Sequence, residues 1–312
     1  MAERDASVLS EAGGVTLAGH AAAGDAPALV VVLRTGELAL FRGTAASPRR
    51  WWRSPLLSGA EPVHDAAACA TAAGVHHGVN RHSLLVACAA GGPVARAGLA
   101  GALLACAADV DEAARLLEEA VPGLEAPDRV WLAGPDRSLA VDVDGAGMRA
   151  AMTPAPSHEA AGLAGMREAL RARVPGAAVS AIAACLSPAG PELLVCLGPP
   201  AAGIFIRQWP GIPAPPPLDA GDAPAPLGVL AASLLAVRDR DGAAALAAAE
   251  AGALAEGEEA ERQARMMDAA GDDHGAEVRR AVAQAHATEL AMTAMRRLLP
   301  EPRGSRSHPI IG

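Results

Sequence analysis

The chain contains no lysine and no tyrosine. Without a side-chain amine it cannot form a Schiff base with a carbonyl substrate, and it cannot supply the lysine of a phosphate-binding P-loop. Arginine carries all the basic charge, aromatic residues make up only 2%, and the net charge is -9. A phosphate backbone needs a basic stripe, so this balance argues against a nucleic-acid partner. No stretch approaches the roughly 18 uninterrupted apolar residues of a membrane span. The start, Met-Ala-Glu-Arg-Asp, lacks the apolar core of a signal peptide. The five cysteines, Cys69, Cys88, Cys106, Cys185 and Cys196, form no C-x-x-C pair and each lies in an apolar run. They read as buried, reduced thiols of a cytoplasmic protein.

What remains is 312 residues, 51% hydrophobic and 20% charged, enough to bury a sizeable core in one large domain or two small ones. The β-branched run Ala28–Leu33 suits a buried strand, and Thr35-Gly36 turns it into Glu37–Phe41. Trp51 and Trp52 sit in an arginine-flanked loop or edge. Asp109, followed by Glu112, caps a helix whose Ala113, Leu116, Leu117 and Ala120 share one face. Three short strands follow across Arg129–Met152, then a helix over Ser157–Arg173, then the hairpin Val179–Leu186 and Glu192–Leu197. Strands and helices are segregated rather than alternating, which predicts α+β layers. Residues 1–211 form this domain. Ile212–Pro226 is Pro-rich and reads as a stiff linker or as a strap across the domain. Residues 227–300 are expected to be a helical extension and 301–312 a tail. In the last helix Val278, Val282, Ala285, Met292, Met295 and Leu299 fall near one face, a surface for the preceding helices or for a homodimer partner.

Gly74–Ala87, GVHHGVNRHSLLVA, reads as strand, tight turn at Gly78-Val79-Asn80, and strand. It resembles the "G-x-x-x-G-x-N-x-x-G-L-x-V" hairpin of N-terminal-nucleophile (Ntn) amide hydrolases, and most of all the penicillin acyltransferase family, with Ser83 where that family has glycine. Asp109–Leu117, Leu132–Gly145 and Leu193–Pro200 are similar to three further motifs of the family, in the same order. The resemblance covers about the first two-thirds of the chain. It implies a four-layer αββα Ntn-hydrolase sandwich, followed here by the helical extension.

An Ntn hydrolase needs a Cys, Ser or Thr at a freed chain start, with asparagine and backbone N–H groups to hold the oxyanion. The family's "G-x-N-x-D" stretch aligns with Gly19-His20-Ala21-Ala22-Ala23, and the nucleophile position before it falls on Asp5. The resemblance puts Arg129 where the family has its second asparagine. Asn80 is then the polar active-site position that survives, equally readable as a turn asparagine. Ser7 and Ser10 are candidate displaced nucleophiles. His20, His77 and His82, with Arg129, are candidate substrate contacts. Of the neighbours His76 and His77 one is expected to face the pocket and the other solvent, because strand neighbours point to opposite faces. No cofactor and no metal is expected. The expected function is a penicillin-acyltransferase-like protein without the nucleophile, binding a small acyl or amide ligand or serving as a scaffold. The alternative is a divergent amide hydrolase or acyltransferase acting on a small secondary-metabolic substrate.

Overall fold

The structure, a computed structural model, describes residues 5–12, 15–23, 29–33, 54–71, 73–144, 146–151, 162–173, 178–218, 225–236 and 240–299, leaving aside the side chains of 5–7, 10–12, 23, 29–33, 151, 240 and 241. Its strands form two sheets. The five-stranded sheet contains β1 (Asp5–Ala12), β2 (Val15–Ala23), β10 (Ala178–Leu186), β11 (Glu192–Leu197) and β12 (Ile206–Gln208), in that spatial order. The seven-stranded sheet runs in chain order: β3 (Leu29–Leu33), β4 (Ala66–Thr71), β5 (Gly74–Asn80), β6 (Leu85–Cys88), β7 (Asp128–Ala133), β8 (Ser138–Asp144) and β9 (Gly147–Ala151). Every described pairing is antiparallel. The expected strand at Glu37–Phe41 and the Trp51-Trp52 pair lie outside the described residues, as do the side chains of Val30 and Val32.

Side-chain alternation along the strands divides the core into layers. Leu9, Ala18, Ala22, Ile182, Val195 and Leu197 of one sheet meet Ala67, Cys69, Val79, Leu85 and Ala87 of the other in a single cluster. Val86, Val130, Leu132 and Val141 face outward from the larger sheet onto α1 (Pro93–Arg96), α2 (Leu99–Cys106) and α3 (Val110–Ala120). Val8, Leu17, Ala181 and Leu194 face outward from the smaller sheet onto Met166 and Leu170 of α4 (Gly162–Arg173). Two glycines let the helices settle. A Cβ at Gly19 would lie 2.5 Å from Met166 Sδ, and one at Gly78 would lie 2.7 Å from both Ala67 O and Leu104 Cδ1. The expected cap of α3 forms, with the Asp109 carboxylate accepting from Glu112 N–H at 2.8 Å.

Three helices complete the described chain: α5 (Pro226–Leu235), α6 (Arg240–Ala269) and α7 (Asp273–Leu298). Leu227, Ala231, Leu246, Ala253, Ala291, Met292 and Met295 belong to the same apolar cluster that lies between the sheets. Within the described part of the Pro-rich stretch, Ile212, Ala214 and Leu218 are buried. The expected α7 face is corrected: Val278, Val282 and Ala285 are exposed, and Ala276, Ala283, Ala287 and Ala291 take buried positions. No helix among the described residues is long and apolar enough to cross a membrane.

Candidate functional site

A group of buried titratable side chains lies between the sheets, and a bulge contributes to it. In the β4/β5 ladder Cys69 pairs with His77 and Ala70 pairs with Val75, so His76 has no residue opposite. An extra residue of this kind breaks the two-residue alternation and re-aims a side chain. Val75 accordingly packs outward on the α1–α3 layer, while the His76 ring turns to within 4.5 Å of the His77 ring centroid. Both rings are fully buried. This corrects the expectation that one of the pair would face solvent. From the opposite sheet, His20 stands edge-on to His77 with ring centroids 5.0 Å apart, and Trp131 of β7 lies 5.4 Å from His20. Ser180 of β10 completes the group, its Oγ 3.2 Å from His77 Nε2.

Burial favours the neutral form of these imidazoles: it drives His20 and His76 down to about 3, the Cys88 backbone opposing this at His20 and the His20 ring adding to it at His76. Burial, then His76 and His20, hold His77 well below its usual value. Among the described residues, both ring nitrogens of His20 and of His76, and Nδ1 of His77, have no partner within hydrogen-bond geometry. An imidazole so depressed in basicity is a poor proton acceptor near neutral pH. Cys69, across the ladder from His77, is no better as a nucleophile. Burial pushes its thiol far up despite a contact with Ser180, and the thiolate is the attacking form. Among the described residues no group of three His, Cys, Asp or Glu is arranged to hold a metal ion.

Asn80 is not arranged as an oxyanion donor. Its side-chain nitrogen donates to Leu104 O at 3.0 Å and Ala107 O at 2.7 Å, binding the end of α2 to the hairpin. Its side-chain oxygen accepts from His82 N–H at 3.0 Å and Leu84 N–H at 3.1 Å. An amide nitrogen has two hydrogens, and both are committed. The turn also falls later than expected: Gly78–Asn80 belongs to β5, and the chain reverses over Arg81, His82 and Ser83. Ser83 has φ 65°, a left-handed conformation that suits the glycine of the resembling motif, and its hydroxyl donates to Ser187 O at 2.7 Å.

The remaining candidates do not gather around this centre. His82 is exposed, its ring 4.4 Å from that of His64. Arg129 is exposed at the start of β7, where it pairs with Asp142 at 2.6 Å and holds that carboxyl below its usual value. Val130 pairs with Cys88 and Ala133 with Leu85, so Arg129 and His82 sit at opposite ends of the β6/β7 ladder. Asp5 and Ser7 lie on β1, Ser7 in register with His20 and Asp5 with Ala22, and Ser10 lies opposite Leu17. The structure therefore brings His20 and His77 together, puts Ser7 on the rung of His20, and separates His82 and Arg129 from both. Sequence reasoning missed Ser180 and Trp131. Ser180 was detectable as the one hydroxyl in the apolar run Ala178–Leu186, whereas Trp131 carried no signal of its facing. A scan of protein-family models and a search of curated proteins return no match to this chain.

Proposed function

We propose that the chain is a non-hydrolytic protein with an Ntn-hydrolase sandwich, similar to the penicillin acyltransferase family, that binds a small acyl or amide ligand without cleaving it. The fold reading draws support from two face-packed antiparallel sheets with helices on both outer faces. The non-hydrolytic reading is carried by Asn80, whose amide hydrogens are both spent on Leu104 and Ala107 carbonyls. An oxyanion hole needs donors aimed at developing charge, and this one is aimed at the backbone. The buried Cys69 thiol and the neutral imidazoles add neither a nucleophile nor a base.

One observation favours the alternative, a divergent amide hydrolase: Ser7 shares a rung with His20. The two readings separate when the full chain is treated with a β-lactone probe and its mass is measured. We expect no covalent adduct. An adduct that disappears in Ser7→Ala or Ser10→Ala would establish the hydrolase instead.

A further inference from the structure

A second place in the molecule combines a cleft with a nearly buried arginine, and its reading does not depend on the Ntn reading. On the outer face of the five-stranded sheet, α4 and α6 flank a cleft of about 270 Å³. Leu17 and Leu194 form its floor and Leu163 and Leu254 its walls. Arg207 of β12 enters this apolar setting with its side chain 10% exposed. Its stem crosses α6 at Gly257, where a Cβ would come within 3.1 Å of Arg207 Cβ and 3.2 Å of its Cδ. The helix carries no side chain at the point where the arginine passes.

The head of Arg207 is under-partnered. It makes no hydrogen bond among the described residues, and its nearest carboxylate, Glu192, stands at 3.8 Å, beyond hydrogen-bond length. Glu192 is shared with Arg265 at 4.0 Å, so these three side chains sum to one positive charge. Arg167, which also lines the cleft, and Arg171 both bond the buried Glu250 carboxylate, although Arg167 Nε has no partner among the described residues. A guanidinium offers five donors, which a carboxylate ligand can take up in pairs. The cleft is also lined by Gly162, Leu163 and Ala164, the first turn of α4, where the helix end is partially positive. Besides Glu192, the lining carries a second carboxylate, Glu258, which is exposed, where solvent and salt weaken its effect.

The geometry points to a binding site for a small monocarboxylate with a short aliphatic tail. The carboxylate meets Arg207 through paired N–H donors and faces the start of α4, and the tail lies over Leu17, Leu194 and Leu254. The test is calorimetric titration of the full chain with hexanoate, with hexanol and inorganic phosphate as the tail-only and charge-only probes. Saturable hexanoate binding is expected, with hexanol and phosphate each weaker by about tenfold or more, the range of a charged hydrogen bond. Arg207→Gln should weaken hexanoate by at least about tenfold while the thermal midpoint holds or rises, because the substitution removes an under-partnered buried charge. Should that variant fail to fold, Ala164→Phe, which fills the mouth from an exposed position on α4, must abolish binding. Absence of saturable hexanoate binding, equal binding of hexanol, tighter binding of phosphate, or hexanoate affinity unchanged by these substitutions would overturn the proposal.

Discussion

Asn80 shows how one side chain can satisfy a sequence motif while doing a different job. The motif reading sends its amide outward to a substrate. In the structure the same amide ties the hairpin to Leu104 and Ala107, the last turn of α2 and the residue after it. The two roles predict opposite results. Asn80→Ala leaves two carbonyls and two N–H groups without this partner in a fully buried setting, so it should cost about 3 kcal/mol or more in denaturant unfolding. Asn80→Asp should cost more, because it buries a carboxylate against two carbonyl oxygens. A substrate-facing asparagine would tolerate both with little change in stability. Ser83 was more legible. It stands where the resembling motif has glycine, and its φ of 65° is the conformation for which glycine is favoured. The sequence could not show that its hydroxyl reaches across to Ser187, because the two residues are far apart along the chain.

At the scale of elements, strands with β-branched or alternating residues were readable, and alanine-rich ones were not. β10 and β11 lie within one residue of their expected bounds. β4, AAACAT, carries little β-propensity and forms because it is held between β3 and β5. The same difficulty affects α7. With alanine on every face, periodicity gave no reliable stripe, and the larger residues Val278 and Val282 drew the reading to the wrong side. The helix instead buries small residues, which allow α6 to approach closely. Its second half was read correctly, since Met292 and Met295 are buried. The observed facing predicts that Val282→Glu changes unfolding free energy by no more than about 0.5 kcal/mol. Ala287→Leu, which overfills the buried stripe, should cost about 1–3 kcal/mol. If Val282→Glu proved the more damaging of the two, the facing of α7 would be wrong.

Across the whole molecule, the inter-sheet imidazoles set how stability depends on pH. Their folded values lie below the unfolded value near 6.5, at about 3 for His20 and His76. The unfolded chain therefore binds protons that the folded chain refuses. The contribution of these groups is intact above pH about 6.5 and is lost as pH falls from there toward 3. Each residue steepens the loss by about 1.4 kcal/mol per pH unit, so the three together give about 4. Urea unfolding at stepped pH should show this slope, and His76→Leu should reduce it by about one third. A stability that stays flat between about pH 6.5 and pH 5 would contradict the account. The sequence displayed the adjacent histidines plainly. It did not display the bulge that aims both of them inward, because that depends on the pairing of β4 with β5.

The account of the centre between the sheets rests on one claim, that its three imidazoles are buried and uncharged. Long-range proton–nitrogen correlation spectra of the nine histidine side chains, followed from neutral pH to the onset of unfolding, test it directly. The account predicts that three imidazoles stay neutral, each in one tautomer, until the chain unfolds. Protonation of all nine rings between about pH 6 and pH 7, in a chain that remains folded, would contradict it.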